Sequence, residues 1–243
     1  MLNAIIIPAR YESSRLPGKA LIELDGLPMI VRTWRQCAKA IEAKSIFVAT
    51  DDFRIEAVCA DFGIQTILTS PDCLTGTDRV AECALHLDAE VLINVQGDEP
   101  VFNPEDLDKL IEAAHRYPDE VLNGVCEIRD ISQFECGSIP KVVTRADGRL
   151  LYMSRASIPT TKQFDYVKAW RQVCSYVFPY AALKAFASQS TKTPLEQIED
   201  IEILRFLELG FEVRMVPLSD DSISVDLPED IEKVLDAIRT RGL

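Results

Sequence analysis

Histidine is scarce in this chain. Among 243 residues there are only His86 and His115, and no close cluster of cysteines and histidines forms around either. The seven cysteines (Cys37, Cys59, Cys73, Cys83, Cys126, Cys136 and Cys174) are odd in number and form no C-x-x-C pair. These absences argue against a zinc site and against a disulfide framework. Apolar neighbours, as in Ala81-Glu82-Cys83-Ala84-Leu85, suit reduced and buried thiols instead. No apolar run approaches the ~20 residues that cross a bilayer. The early run at 4–8 is too short for a signal-peptide core and follows no basic segment, so the expectation is a cytoplasmic protein without a membrane partner. Positive charge is also in deficit: 26 Lys and Arg stand against 39 Asp and Glu, a net charge of −13. A general affinity for nucleic acid needs a basic surface, so it is not expected here. A small phosphorylated ligand needs no more than a local basic patch.

What is present is a core. Hydrophobic residues make up 47% of the chain, enough for one large domain over 1–243. Ala4-Ile5-Ile6-Ile7 is a β-branched run suited to a strand buried on both faces. Helical spacing at 28–40, a strand at 45–50, a helix capped by Asp51-Asp52 and running to 62, and strands at 64–68 and 90–95 around a helix at 78–87 follow. Such alternation predicts right-handed βαβ units and a mostly parallel sheet flanked by helices. Beyond Pro118 the pattern changes. Strands are expected at 121–128, 140–144 and 171–178, with an Asp147-Gly148 hairpin turn between the second of these and Leu150-Leu151-Tyr152. Helices at 193–209 and 228–239 and a strand at 211–216 complete the reading, an α/β domain with a mixed second half.

Three motifs could carry chemistry, the first two at strand ends. The first, PARYESSRLPGK, holds Arg10, Arg15 and Lys19 against the single anion Glu12, a local reversal of the chain's overall charge. Loops at strand C-termini line the ligand crevice of an open α/β sheet, and such cations can clamp a triphosphate. Neither a Walker A loop nor G-x-G-x-x-G is present. A solvated charged loop is an equally weighted alternative. The second motif is Asn94-Val95-Gln96-Gly97-Asp98-Glu99-Pro100, where Asp98 could hold Mg²⁺, an ion that favours one or two carboxylates plus phosphate oxygens; a tight turn with a solvated Asp is the alternative. In the third, Ser224-Val225-Asp226-Leu227-Pro228, Asp226 reads most simply as a helix cap. Thr75-Gly76-Thr77-Asp78-Arg79 could form an anion site at a helix N-terminus or be a plain helix start. Arg155, in YMSRASIP, could meet a substrate carboxylate or lie in a surface loop.

Together these segments resemble the 3-deoxy-manno-octulosonate cytidylyltransferases (CMP-Kdo synthetases). The resemblance runs in order through IIIPARYESSRLPGK, ATDD, TGTDR, NVQGDEP, YMSRASIP, TPLEQIEDIEILRFLE and VDLPEDIEKV. It implies a Rossmann-like nucleotidyltransferase fold, a homodimer, and a smaller sugar-binding and dimerisation subdomain within about 125–192. It implies CTP and Kdo as substrates, Mg²⁺ as cofactor, and a place in lipopolysaccharide synthesis. Arg10, Lys19 and Asp98 become the expected catalytic residues. Arg10, Arg15, Lys19, Thr75, Gly76, Arg79, Gln96 and Asp98 become nucleotide contacts, and Asp98 and Asp226 the metal ligands. Gln96, Arg155, Gln172, Tyr176 and Glu196 are assigned to the sugar. The family's sugar-binding stretch reads close to R-H-x-G-I-Y-x-Y. Here Tyr176 keeps its place, but Gln172 stands where the histidine would be, and an amide cannot carry charge at neutral pH. The acceptor could therefore be Kdo, an amino or deoxy Kdo analogue, or another ulosonic acid, as in the sialic-acid cytidylyltransferases. A nicotinamide oxidoreductase, a sugar-nucleotide glycosyltransferase and a non-catalytic nucleotide-binding regulator are the competing classes.

Overall fold

A computed structural model describes residues 3–12 and 16–243. In chain order the elements are β1 (Asn3–Pro8), β2 (Glu23–Leu24), β3 (Leu27–Pro28), α1 (Met29–Cys37), β4 (Ile46–Thr50), α2 (Phe53–Asp61), β5 (Gln65–Leu68), α3 (Gly76–Ala84), β6 (Val91–Val95) and α4 (Glu105–Arg116). They continue with β7 (Val121–Glu127), α5 (Ile131–Glu135), β8 (Lys141–Thr144), β9 (Leu150–Ser154), β10 (Trp170–Phe178), α6 (Tyr180–Ala187), α7 (Pro194–Glu199), α8 (Ile203–Glu208), β11 (Val213–Pro217) and α9 (Pro228–Arg241). The chain divides into two compact units, 1–108 with 221–243 and 109–220.

In the first unit β1 pairs in parallel with β4 on one side and β6 on the other, and β4 pairs in parallel with β5. The order β6-β1-β4-β5 puts the isoleucine run at its centre, where Ile5, Ile6 and Ile7 have no solvent exposure. That is the outcome expected of a β-branched run covered on both faces. Helices α1 and α3 pack against β1, and α2 against β4 and β5. This is the Rossmann-like α/β arrangement read from the sequence. Asp52 caps α2 by accepting from the Arg54 amide. Helix α3 starts earlier than the expected 78, because Thr75 caps it and Gly76 takes its first position. Between β2 and β3 lies a tight Asp25-Gly26 turn with φ values of 50° and 77°, a hairpin outside the sequence-based expectation. The last helix returns to this unit. Val234, Ala237 and Ile238 of α9 bury against Leu24, Met29, Val101 and Val225. Each of the larger side chains contributes about 1.5–3 kcal/mol, and the packing fixes the segment before α9 in place.

In the second unit β7 lies between β11, parallel to it, and β10, antiparallel. Strands β8 and β9 form the expected hairpin, and β8 pairs with the start of β10. Strand β10 bulges between Val173 and Tyr176, opposite Asn123 and Gly124 of β7. A Cβ on Gly124 would come within 2.5 Å of Leu218 Cδ1 and 2.9 Å of Val173 Cβ, so the crossing of these strands demands glycine. The single helix expected at 193–209 is instead two, α7 and α8, because Asp200 turns left-handed with φ 52°. None of the seven cysteines forms a disulfide. Burial pushes the Cys59 and Cys83 thiols up to about 12, in keeping with small buried hydrophobes.

Candidate active site

The end of β1 and the end of β6 are neighbours because the strands pair, and the chain after β6 turns where a side chain is not tolerated. A Cβ on Gly97 would sit 2.9 Å from the Pro8 carbonyl oxygen, so glycine here serves the close approach of two strand ends. The loop after β1 is closed at its base: the Gly18 amide donates to the Tyr11 carbonyl at 2.8 Å. Gly18 is left-handed at φ 70°, with the Tyr11 ring within 3.2 Å of where a Cβ would lie. The Arg54 guanidinium stacks on that ring, 3.3 Å from its centroid, while pairing with Asp52 at 2.6 Å.

From this closed base Lys19 reaches inward. Its ammonium donates to Asp98 Oδ2 at 2.5 Å, to the Val225 carbonyl at 3.1 Å and to Asp226 Oδ1 at 3.5 Å. The Val225 amide donates to the Asp98 carbonyl at 2.9 Å, which ties the segment before α9 to the end of β6. Capping of α9 falls to Asp230, whose Oδ2 accepts from the amides of Asp226 and Leu227 at 3.1 and 3.0 Å. The Asp226 side chain lies 3.5 Å from the Lys19 ammonium. Burial opposes the charge on Asp230, but bonds from Lys233 and the two amides outweigh it and hold its carboxyl below the usual range.

Around this centre Arg10 is exposed on the loop, and Arg15 lies outside the described residues. Gly76, at the start of α3, faces the Gln96 side chain and Pro8: its Cβ position is 3.5 Å from both Gln96 Oε1 and Pro8 Cγ. Thr75 accepts from the Asp78 amide at 3.2 Å and donates to the Asp78 carboxylate at 2.7 Å. Arg79 is buried; it donates to Thr69 Oγ1 and lies 3.3 Å from Asp51 Oδ2. It therefore braces the ends of β4 and β5. Asp98 and Asp226 suit a hard divalent cation, because both are carboxylates and they already converge on one cationic centre. Among the described residues no group of three or more His, Cys, Asp or Glu joins them, so further ligands would have to be substrate oxygens or water.

Of the residues assigned to the sugar, Arg155, Gln172, Tyr176 and Glu196 all lie in the second unit. Gln172 Nε2 donates to Asn123 Oδ1 at 2.9 Å and to the Tyr176 hydroxyl at 3.3 Å. Asn123 donates in turn to the Val173 and Ser175 carbonyls across the bulge, at 2.9 and 3.1 Å. The Arg155 guanidinium is committed to backbone carbonyls, among them Glu199 at 2.5 Å, Asp200 at 2.9 Å and Gly137 at 3.2 Å. Glu196 is buried and makes two 2.6 Å bonds to Arg205. Its carboxylate and the Arg155 guanidinium shape this region through the chain they hold.

Three polar residues of the region were not singled out from sequence. Asn123 orients Gln172. Glu199 accepts from the Tyr152 and Ser154 hydroxyls and the Arg155 amide at 3.2, 2.6 and 2.9 Å. Lys141, fully buried, donates to the carbonyls of Cys136 and Arg155 at 2.8 and 2.6 Å, and burial lowers its pKa. A lysine inside the apolar stretch PKVVT was the one available signal, since a buried ammonium must find partners.

Comparison with known proteins adds to this geometry. A profile of the cytidylyltransferase family matches residues 4–215. The 3-deoxy-manno-octulosonate cytidylyltransferase of Chlorobium luteolum is 39% identical over 247 residues, covering 98% of each chain. That of Myxococcus xanthus is 39% identical over 241 residues, covering 98% of this chain and 96% of its own. The solved structure of a CMP:2-keto-3-deoxy-manno-octonic acid synthetase complexed with CTP superposes with a TM-score of 0.91 at 32% identity, covering 99% of both chains.

Proposed function

The chain belongs to the cytidylyltransferase family, among the 3-deoxy-manno-octulosonate cytidylyltransferases, and we propose that it transfers CMP from CTP to the anomeric 2-hydroxyl of Kdo or a close Kdo analogue. Pyrophosphate is the second product, and lipopolysaccharide synthesis is the use. The observation that carries this reading is the convergence of Lys19, from the loop after β1, with Asp98, after β6, and Asp226, before α9. They form a small charged centre in a chain similar over its whole length to enzymes named for this activity.

The sugar hydroxyl attacks the α-phosphorus in line and gives up its proton to water, the α–β phosphoanhydride bond breaks, and pyrophosphate carries away the bonding electron pair. No covalent enzyme intermediate is required, so catalysis is positioning and charge neutralisation. Arg10, Arg15 and Lys19 hold the departing phosphates. Thr75, Gly76 and Gln96 flank the nucleotide, and Arg79 keeps the strand ends beneath it in register. Asp98 and Asp226 would hold Mg²⁺, which when bound would supply charge neutralisation and a template for substrate oxygens. Gln172 and Tyr176 address the sugar, and Arg155 and Glu196 fix the chain around them. The enzyme acts as a cytoplasmic homodimer, with dimerisation and sugar binding assigned to the segment at about 125–192. Another ulosonic acid as acceptor is the second reading, favoured by the uncharged Gln172 amide.

Pyrophosphate release from Mg²⁺, CTP and Kdo, measured against a sugar-free control, tests the proposal. Release with Kdo supports it, whereas release with a sialic acid alone moves the specificity. Silence with every sugar and nucleotide removes the catalytic reading. Asp98→Ala is expected to abolish turnover in a folded protein; near-normal activity would remove the metal role. Lys19→Ala is expected to raise the KM for CTP far more than that for the sugar, and an equal loss of both would point to a damaged fold.

A further inference from the structure

We propose that Lys19 is the resident counter-ion of the metal position, and that a divalent cation enters it as the ammonium leaves for the phosphates of the nucleotide. This rests on the assignment of Asp98 and Asp226 as metal ligands, and it adds a competition for those ligands by the protein's own ammonium, present before any nucleotide binds. The Lys19 ammonium lies 2.5 Å from one carboxylate and 3.5 Å from the other, which is the space between two ligands of a shared cation. The backbone that carries the two carboxylates is fixed. Asp98 and Val225 are joined by a backbone bond of 2.9 Å, and the Asp226 amide is held by Asp230 at 3.1 Å. The backbone at Lys19 is fixed too, since the Gly18 amide is bonded to Tyr11. The mobile part is the lysine side chain, a flexible four-carbon stem ending in a point charge.

Charge dictates the exchange. A divalent ion in the ammonium's place brings two positive charges to the same two carboxylates. Ammonium and divalent ion together would lie at separations where like charges repel strongly. A triphosphate relieves that repulsion by giving the ammonium new partners. Metal and nucleotide therefore promote each other's binding, reciprocally, and metal held without nucleotide is weak because Lys19 competes for its ligands.

The test needs no turnover. Mn²⁺ is titrated into nucleotide-free protein, its free signal is followed by electron paramagnetic resonance, and thermal melting is recorded alongside. Lys19→Met is expected to bind Mn²⁺ on the order of tenfold more tightly than the unaltered protein, and to gain more in melting temperature from the ion. Lys19→Arg, which keeps the charge, is expected to stay as weak as the unaltered protein. Asp98→Asn added to Lys19→Met is expected to abolish the gain. If Lys19→Met does not fold, Lys19→Gln replaces it. Equal or weaker Mn²⁺ binding in the folded neutral variant would overturn the exchange, as would equal tightening in Lys19→Arg. Pyrophosphate release by the unaltered protein is scored separately: its absence would sink the proposed reaction while leaving the nucleotide-free metal result intact.

Discussion

Glu196 and Arg205 have no exposure to solvent, and each meets the other's charge through two bonds of 2.6 Å. The Arg205 guanidinium also lies 3.6 Å over the Phe186 ring, and Glu196 accepts from the Thr193 amide at 3.1 Å. A carboxylate so occupied holds α7 against α8. Losing one partner of a buried pair strands the other charge, at a cost of about 3–5 kcal/mol. Glu196→Gln is therefore expected to lower unfolding free energy by roughly that amount in a denaturant titration, with sugar KM in the folded fraction unchanged within about twofold. A large rise in sugar KM without loss of stability would instead put Glu196 in contact with the sugar. The resemblance of TPLEQIED to the family located this residue, but its partner nine positions on was not legible. Arg205 sits within an ordinary helical pattern, and burial of a charge is a property of its surroundings.

At the scale of elements, periodicity and caps served well where each strand or helix is its own signal. The isoleucine run became the sheet centre, Asp52 capped α2, and Asp147-Gly148 turned the β8–β9 hairpin. The break between α7 and α8 was hidden because 193–209 carries helical spacing throughout. Asp200 leaves the helix there, with its side chain 2.6 Å from Lys192 and its carbonyl held by Arg155. A left-handed residue with a Cβ costs roughly 1–2 kcal/mol unless the residue is glycine or a short polar one. Asp200→Gly is expected to melt close to the unaltered protein. Asp200→Val is expected to lose about 1–2 kcal/mol, and equal melting of the two variants would show that the turn is not strained. The D-G pair at Asp25-Gly26 carried the same kind of signal as Asp147-Gly148, but strands of two residues give no periodicity to frame it.

Across the whole molecule the surplus of acid is managed by partners. Burial opposes the charge on Glu120, but Arg214 and Arg149 outweigh it and hold the carboxyl below its ordinary 4.5. Glu199 is held low in the same way by Ser154, the Arg155 amide and Tyr152, again against burial. Glu208 is also held low, against burial, by Thr193 and the amides of Leu195 and Glu196. A carboxyl whose folded pKa is depressed binds fewer protons than in the unfolded chain. Its stabilisation is present above the unfolded value and is lost as pH falls through the folded one. The melting temperature is thus expected to hold from neutrality down to about the ordinary carboxylate range and to fall steeply below it. Melts between pH 6 and pH 3 check this, and a melting temperature that stays level to pH 3 would overturn it.

The amino-acid sequence by itself determined the class of the chain, its parallel strand-helix alternation and the strand-end loops that carry Arg10, Lys19 and Asp98. Those properties are local: they depend on apolar period, turn residues and the charge within a dozen neighbours. The tertiary structure alone decided which charges meet. Lys19 finds Asp98 and Asp226 at separations of 79 and 207 positions. Gln172 is oriented by Asn123, and Arg155 by the carbonyls of a helix break. No local pattern encodes such pairs, because a side chain's partner is set by where folding brings distant backbone together, and a buried charge or amide takes whichever group that packing presents.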